Sequence, residues 1–292
     1  MSEGNESQKS AEVVNLRSPW QIFAIEAFLF CLTLGLGIAT AFKIDKILKI
    51  RKIAPPEISF WQFIFYFLLA TLIILLILRF LKFQKGKRVI FKILFVFTTF
   101  LGGLLFLEAW LPEPVPLILI PLLNFWWWKS PSVLNQDILM ILGMAGVGSV
   151  LGLSLNPEIV VGLLIIFSVY DFVAVYKTKH MIEMAKEMIE SKAIIALVVP
   201  SSVLGFQESL EKIEPGGKFL ILGGGDVVFP LLFTASLVSQ GIWNSLIVAA
   251  FSLIGLFAGF YFFASQKIRK PIPALPPIAF FSIFGYLMTR LI

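Results

Sequence analysis

Three acidic residues lie well inside long apolar stretches of this chain, at Glu26, Asp171 and Asp226. A charge at the centre of a bilayer costs about 2.5 kcal/mol or more, so an acid kept at that depth indicates function. Two carboxyl groups held close together cannot both ionise, and they share one proton. The ionised member can take a proton from water while the protonated member polarises a carbonyl. Such a pair has the chemistry to hydrolyse an amide.

Asp171 and Asp226 occupy matching positions in their apolar stretches. Asp171 lies six residues before Lys177, and Asp226 lies seven residues after Phe219, on either side of one long loop. At about 1.5 Å per helical residue, these offsets correspond to depths of about 9 and 10 Å. Two antiparallel helices joined by this loop would carry both carboxylates at one level, so we predict that they form a pair.

The other acids near the apolar stretches have simpler interpretations. Glu26 is expected to be a neutral acid that is hydrogen-bonded to another helix, and we assign it no chemistry. Asp137 and Glu108 lie near the ends of predicted spans, where we expect them at the membrane interface.

Gly223, Gly224 and Gly225 directly precede Asp226. Each glycine costs a helix roughly 1 kcal/mol relative to alanine. The run could serve helix packing or a kink. It could also let a second backbone approach the acid, or permit an unwound segment that lines a cavity. The adjacent acid favours the second interpretation.

The composition is that of an integral membrane protein. Apolar residues make up 58% and charged residues 14% of the 292 positions, and the mean hydropathy is +0.92. Soluble domains have about 45–50% apolar and about 25% charged residues. The net charge of +6 does not indicate nucleic-acid binding, because basic residues of membrane proteins lie mainly in loops. The single cysteine, Cys31, and single histidine, His180, exclude an internal disulfide and disfavour a His/Cys zinc site.

We predict an all-α membrane protein, a polytopic bundle of nine transmembrane helices of about 20 residues each. Residues 1–18 form a polar N-terminal tail, and residues 19–292 form a single domain. The first apolar stretch is too long for a signal-peptide core, so it is expected to remain as the first helix. The predicted spans are Trp20–Phe42, Ser59–Phe80, Val89–Trp110, Val115–Trp128, Ile138–Leu155, Ile159–Tyr176, Phe219–Val238, Ile242–Ala264 and Pro273–Ile292.

Two further patterns indicate packing or anchoring. Gly143, Gly146, Gly148 and Gly152 in the fifth span are small residues at spacings that let helices approach closely. Trp126–Trp128, at the end of the fourth span, is typical of an interfacial aromatic belt.

The distribution of basic residues predicts the orientation. The N-terminal tail and the even-numbered loops hold 18 of the 24 Lys and Arg residues. The positive-inside rule therefore places the N-terminus in the cytoplasm and the C-terminus outside. The first loop disagrees, because it carries five basic residues between Lys43 and Lys52.

The loop between the sixth and seventh spans covers residues 177–218 and is predicted to be cytoplasmic. It opens with KTKHMIEMAKEMIESK, in which apolar residues follow helical spacing. The sixth helix could simply continue as an amphipathic stalk, or this stretch could be a surface helix that helps to gate substrate entry.

The stretch Lys267–Pro277, KIRKPIPALPP, contains four prolines. Proline lacks an N–H and clashes with the preceding turn, so we predict no regular helix here. The residues from Ile278 onward give about 22 Å of helix against a bilayer core of about 30 Å. The Pro-Ala-Leu-Pro segment is therefore expected to enter the membrane near both aspartates.

Three short motifs together resemble those of a known family. Tyr170-Asp171, Gly223-Gly224-Gly225-Asp226 and Pro273-Ala274-Leu275 resemble the YD, GxGD and PAL motifs of the presenilin/signal peptide peptidase family of intramembrane aspartyl proteases. Each motif alone is weak, but their order on the sixth, seventh and ninth spans is specific. The resemblance covers about residues 19–292.

The resemblance implies an aspartic endopeptidase that cleaves transmembrane helices or leftover signal peptides. Asp171 and Asp226 would be the catalytic pair, and the other motif residues would shape the substrate site. Gly224 stands where a larger apolar residue is usual, which leaves substrate selectivity open. The sequence VVFP after Asp226 resembles the peptidase branch, whereas PALP and the predicted orientation resemble presenilin. The short loop six indicates a compact microbial homologue.

The expected surroundings follow from the same interpretation. The protein would be a multi-pass protein of the cell membrane, in contact with lipid and with transmembrane peptide substrates. We expect no metal, organic cofactor or nucleic acid, and a homo-oligomer stays open. The alternative is a proton- or ion-coupled transporter or channel, which also uses membrane acids and Gly/Pro-broken helices. The inverted repeats often seen in transporters are not found in this sequence.

Overall fold

The computed structural model describes residues 19–80, 84–178, 180–213, 219–266 and 271–291. These residues are mostly helical, and the tail predicted for residues 1–18 lies outside them. The α-helices are α1 (Pro19–Arg51), α2 (Phe60–Phe80), α3 (Gln84–Trp110), α4 (Val115–Lys129), α5 (Val133–Leu153), α6 (Pro157–Val173), α7 (His180–Ser191), α8 (Gly224–Ser236), α9 (Ile242–Ala264) and α10 (Leu275–Leu291). Ten helices lie in this described part of the chain, so the predicted count of nine is not confirmed.

Five helical segments are long and apolar enough to cross a membrane: Pro19–Arg51, Arg88–Trp110, Val133–Leu153, Pro157–Lys177 and Ile242–Ala264. Phe60–Ile74 and Leu275–Leu291 are shorter apolar helices. The chain is therefore a multi-pass membrane protein. The helix without a counterpart among the predicted spans is α7, in the loop after α6. Between α6 and α7, the chain forms a π-helical turn at Ala174–Thr178. Lys179 lies outside the described residues.

Helix α1 is longer than its predicted span. Its helical hydrogen bonding continues to Arg51, so most of the basic residues assigned to the first loop lie on the last turns of this helix. Lys49 pairs with Asp45 at 2.7 Å, and the Lys43 ammonium lies 4.4 Å from the centre of the Trp110 ring.

The start of the seventh predicted span is a strand, which corrects the helix predicted there. Phe219–Gly223 forms β2 and pairs antiparallel with β1, Ala196–Pro200, so that Ala196 faces Gly223 and Pro200 faces Phe219. A short apolar run cannot be told from a buried helix by periodicity alone. The glycines weaken a helix here, and the β-branched Val198 and Val199 suit the partner strand.

Helix α5 lies at the centre of the helical core and packs against α1, α3 and α8. Its glycines allow close approaches, as predicted. A Cβ on Gly146 would meet the backbone of Gly102 in α3, and a Cβ on Gly152 would meet Ala235 in α8. The core therefore depends on small residues where helix backbones cross.

The predicted non-helical proline segment is only partly correct. Pro271–Ala274 is non-helical, but α10 begins at Leu275 and contains Pro276 and Pro277. Proline is tolerated in the first helical turn, because the N–H groups there have no intrahelical partner.

Candidate active site

Helix α6 carries Asp171 near its end, three residues before the π-helical turn begins at Ala174. The Asp171 side chain is 5% exposed. Its Oδ2 accepts a hydrogen bond from the backbone N–H of Leu275 at 3.3 Å. This contact joins α6 to the first residue of α10, so the Pro-Ala-Leu segment lies directly beside the acid.

Asp226 is the third residue of α8, after Gly223 at the N-cap. Its side chain is 7% exposed, and its carboxylate accepts from the Gly223 N–H. An acid at this position satisfies one of the N–H groups left free at a helix start. The positive end of the helix dipole also favours a carboxylate there.

The structure brings the two aspartates together, within range of electrostatic interaction between their carboxyl groups. The reason differs from the one predicted. The eight residues from Phe219 to Asp226 do not form one helix, because the first five belong to β2. A strand rises about 3.3 Å per residue rather than about 1.5 Å, so the two predicted depths were not comparable.

The remaining predicted site residues surround this pair to different extents. Gly223 faces Ala196 across the hairpin, and Gly225 is exposed beside Asp226. A Cβ on Gly224 would lie 3.1 Å from the carbonyl oxygen of Ile195. Pro273 and Leu275 are buried and Ala274 is half-buried. Tyr170 is 61% exposed, so its side chain does not join the buried pair.

Glu26 and Asp137 have surroundings that were not predicted. Glu108 is exposed, as an interfacial acid would be. Glu26 in α1 is buried within electrostatic range of Asp226, and its Oε2 has no hydrogen-bond partner among the described residues. Asp137 is buried near the start of α5 and accepts from the Val198 N–H at 2.8 Å, so it faces the protein interior, and its predicted position at the membrane interface stays a prediction. The sequence contains no signal for either contact, since both join elements far apart in the chain.

The hairpin has one covered edge and one open edge. Val198 points its N–H towards Asp137, away from β2. The polar groups of successive residues point to opposite edges of a strand, and Ile221 lies opposite Val198. Ile221 and Phe219 therefore point their polar groups to the outer edge of β2. In the described part of the chain these groups have no backbone partner.

The three tryptophans at the end of α4 were predicted to form an interfacial aromatic belt, but one of them is buried. Trp126 and Trp128 are exposed, but Trp127 is 1% exposed and donates from Nε1 to Gln136 Oε1 at 2.9 Å. Within the described residues, no group of three or more His, Cys, Asp and Glu side chains is placed to hold a metal ion.

In the described helical bundle Asp171 and Asp226 are both buried within electrostatic range of each other, the arrangement that the resemblance to aspartyl proteases predicts. A family model described as "Signal-peptide peptidase, presenilin aspartyl protease" matches residues 25–292. The chain therefore belongs to this family of intramembrane aspartyl proteases.

Solved structures show the same fold. One, titled as a presenilin family intramembrane aspartate protease in space group C222, is 23% identical with a TM-score of 0.63, and the match covers 94% of this chain and 100% of that one. A second, with the same description in space group P2, is 24% identical with a TM-score of 0.55, covering 91% and 96%. No curated protein sequence matches the chain.

Proposed function

We propose that this protein is an intramembrane aspartyl endopeptidase in which Asp171 and Asp226 are the catalytic pair. The observation that carries the proposal is that two acids from distant parts of the chain are both buried and lie within electrostatic range of each other. Their substrates would be transmembrane helices or leftover signal peptides. Membership of the protease family disfavours the alternative of an ion-coupled transporter or channel.

The chemistry follows from two carboxyl groups that share one proton. A water between them loses a proton to the ionised carboxylate and attacks the scissile carbonyl carbon, while the protonated carboxyl donates a hydrogen bond to the carbonyl oxygen. A tetrahedral diol forms and collapses as the leaving nitrogen is protonated. The mechanism uses water and the two acids, and it requires no cofactor.

Backbone groups hold each acid in place for this reaction. The Leu275 N–H binds Asp171 Oδ2, and the Gly223 N–H binds the Asp226 carboxylate. Fixed hydrogen bonds restrict the rotation of both side chains, which favours a productive geometry. The exposed Gly225 next to Asp226 leaves room for the backbone of a substrate.

The open edge of β2 supports a binding mode for the substrate. A transmembrane helix shields its carbonyl carbons, so it must unwind locally before it can be cut. The unwound segment could pair with Phe219 and Ile221 as an added strand. Gly223 follows on the same edge and binds Asp226 through its N–H, so an added strand would run directly past the acid.

The proposal also covers how the chain is oriented in the membrane. Residues 19–292 would form one protease domain, with the N-terminus and residues 177–218 in the cytoplasm. The distribution of basic residues supports this orientation. A homo-oligomer is compatible with the proposal and is not required by it.

Purified protein in liposomes tests the proposed activity. We expect it to cut a synthetic transmembrane peptide without any partner protein, with products identified by mass spectrometry. Ion flux through the same liposomes without any peptide cleavage would contradict the proposal and support the transporter.

A further inference from the structure

The first turns of α5 hold the covered edge of β1 and the chain just before this strand, one contact each. Asp137 Oδ1 accepts from the Val198 N–H at 2.8 Å. The preceding residue, Gln136, donates from Nε2 to the carbonyl oxygen of Ile194. Ile194 lies two residues before β1, and Val198 lies within it. Two adjacent side chains of α5 thus bind the segment from Ile194 to Val198 at its two ends.

Both contacts are deeply buried. Gln136 and Asp137 are 0% and 1% exposed, and Val198 and Ile194 are 0% and 1% exposed. The second carboxyl oxygen, Asp137 Oδ2, has no hydrogen-bond partner among the described residues. A buried carboxyl group with a single partner is unfavourable for folding alone, because burial removes its hydration. A group that is costly to bury is a candidate for a role beyond stability.

The helix that carries these side chains is itself firmly held. Ser132 and Asn135 form a reciprocal capping box at the start of α5. The loop-six segment binds the same end, because Val133 donates to Glu208 and Leu210 donates to Pro131, both at 3.0 Å. Gln136 is fixed further by Trp127. Asp137 therefore attaches β1 to a rigid support.

A chain of contacts links β1 to Asp226. Gly223 at the end of β2 faces Ala196 of β1 and also donates to the Asp226 carboxylate. The chain of contacts runs from Asp137 through β1 and β2 to Gly223. Moving β1 relative to α5 would move the open edge of β2 and the acid together.

We propose that Asp137 is a positioning residue that sets where β2 presents substrate to Asp226, and so which peptide bond is cut. The proposal rests on the proposed function, and it assigns Asp137 no contact with substrate. A residue that serves stability alone would change the melting temperature and leave the cleavage sites unchanged. A positioning residue changes the cleavage sites and the turnover rate.

The test compares Asp137→Ala and Asp137→Asn with the control Ser149→Ala in the full-length protein in liposomes. Ser149 is also fully buried in α5, but its hydroxyl donates to the Gly146 carbonyl oxygen of its own helix, with no other partner among the described residues. Asparagine keeps an acceptor for the Val198 N–H, whereas alanine does not. Product masses, kcat and KM are measured for a transmembrane peptide, and hydrogen exchange is measured for the segments 194–200 and 219–226.

We expect Asp137→Ala to lower kcat by about 10²-fold, because a displacement of about 1 Å can cost that much. New cleavage sites should appear one or two residues from the original ones. Both strand segments should exchange faster than in Ser149→Ala. Asp137→Asn should keep the original sites. If the alanine variant does not fold, Asp137→Glu, which moves the carboxyl group by one methylene, should shift the sites instead.

Unchanged products and unchanged exchange in 219–226 for the folded alanine or glutamate variant would overturn the proposal. Hydrogen exchange does not need turnover, so it separates the two claims. If the unmodified protein cuts no peptide, the proposed function fails. Faster exchange in 219–226 of Asp137→Ala would then still show that Asp137 positions the strand, and unchanged exchange would refute it.

Discussion

At the scale of single residues, the site depends on a few side chains that a bilayer would otherwise exclude. The sequence is sufficient to single out Asp171 and Asp226, because acids inside apolar stretches are rare and costly. It is not sufficient to find the partners of Glu26 and Asp137, because these lie on elements that only the fold brings together.

Substitutions can distinguish the roles of the individual glycines before Asp226. Gly225 is exposed, and an added Cβ would lie 3.6 Å from Phe229, an ordinary contact. We expect Gly225→Ala to raise the free energy of unfolding by up to about 1 kcal/mol, since alanine favours a helix. It should also cut peptide cleavage sharply, because the methyl group would crowd the approaching substrate backbone. Activity and melting temperature are measured on the same preparation.

Gly224→Ala is the matched control for this change. Its Cβ would lie 3.1 Å from the Ile195 carbonyl oxygen, next to a residue that Gln136 already holds. Overpacking of about 1–3 kcal/mol should therefore lower its melting temperature. Full activity in Gly225→Ala would show that this glycine does not make room for substrate.

At the scale of secondary-structure elements, the β1–β2 hairpin is the part of the fold that was not predicted from the sequence. Phe219–Gly223 reads as the start of an apolar helix, and only pairing with a strand about twenty residues earlier makes it β2. Long-range pairing of this kind leaves little local signal in a short, uniformly apolar run. Helices with long apolar stretches, such as α9, were predicted with their bounds because hydropathy alone determines them.

The two edges of β2 predict opposite effects for proline at neighbouring positions. Ile221 points its N–H to the open edge, so Ile221→Pro should keep the hairpin and abolish most substrate pairing and cleavage. Leu222 points its N–H towards β1, so Leu222→Pro should lower the melting temperature instead. Ile221→Ala serves as the control for the lost side chain. Normal cleavage by a folded Ile221→Pro variant would refute strand addition at β2.

At the scale of the whole molecule, composition and three short motifs were enough to indicate the family, which the match over residues 25–292 confirms. The predicted count of nine transmembrane helices is not confirmed, because the ten helices of the described residues include α7, a short helix too polar to be a span. The orientation in the membrane stays a prediction from the basic residues.

Cysteine labelling measures this orientation. Ser202 is exposed in the loop between β1 and β2, so a cysteine there can react with a labelling reagent. Ser191, in the same loop-six segment, is buried and therefore unsuitable for labelling. In a Cys31→Ser background, we expect Ser202→Cys to react with an impermeant reagent only after the cytoplasmic side is opened. A cysteine added after Ile292 should react in intact cells. The reverse pattern would refute the orientation and leave the protease proposal intact.

The catalytic pair is the central claim, and two substitutions test it most directly. Asp171→Asn and Asp226→Asn keep size and hydrogen bonding but remove the acid–base function, so each should lower peptide cleavage by about 10²–10⁴-fold. Glu108→Gln, a change at an exposed acid, should retain activity. All variants are assayed on one transmembrane peptide in liposomes, with melting temperatures close to that of the unmodified protein. Robust cleavage by either aspartate variant would contradict the account.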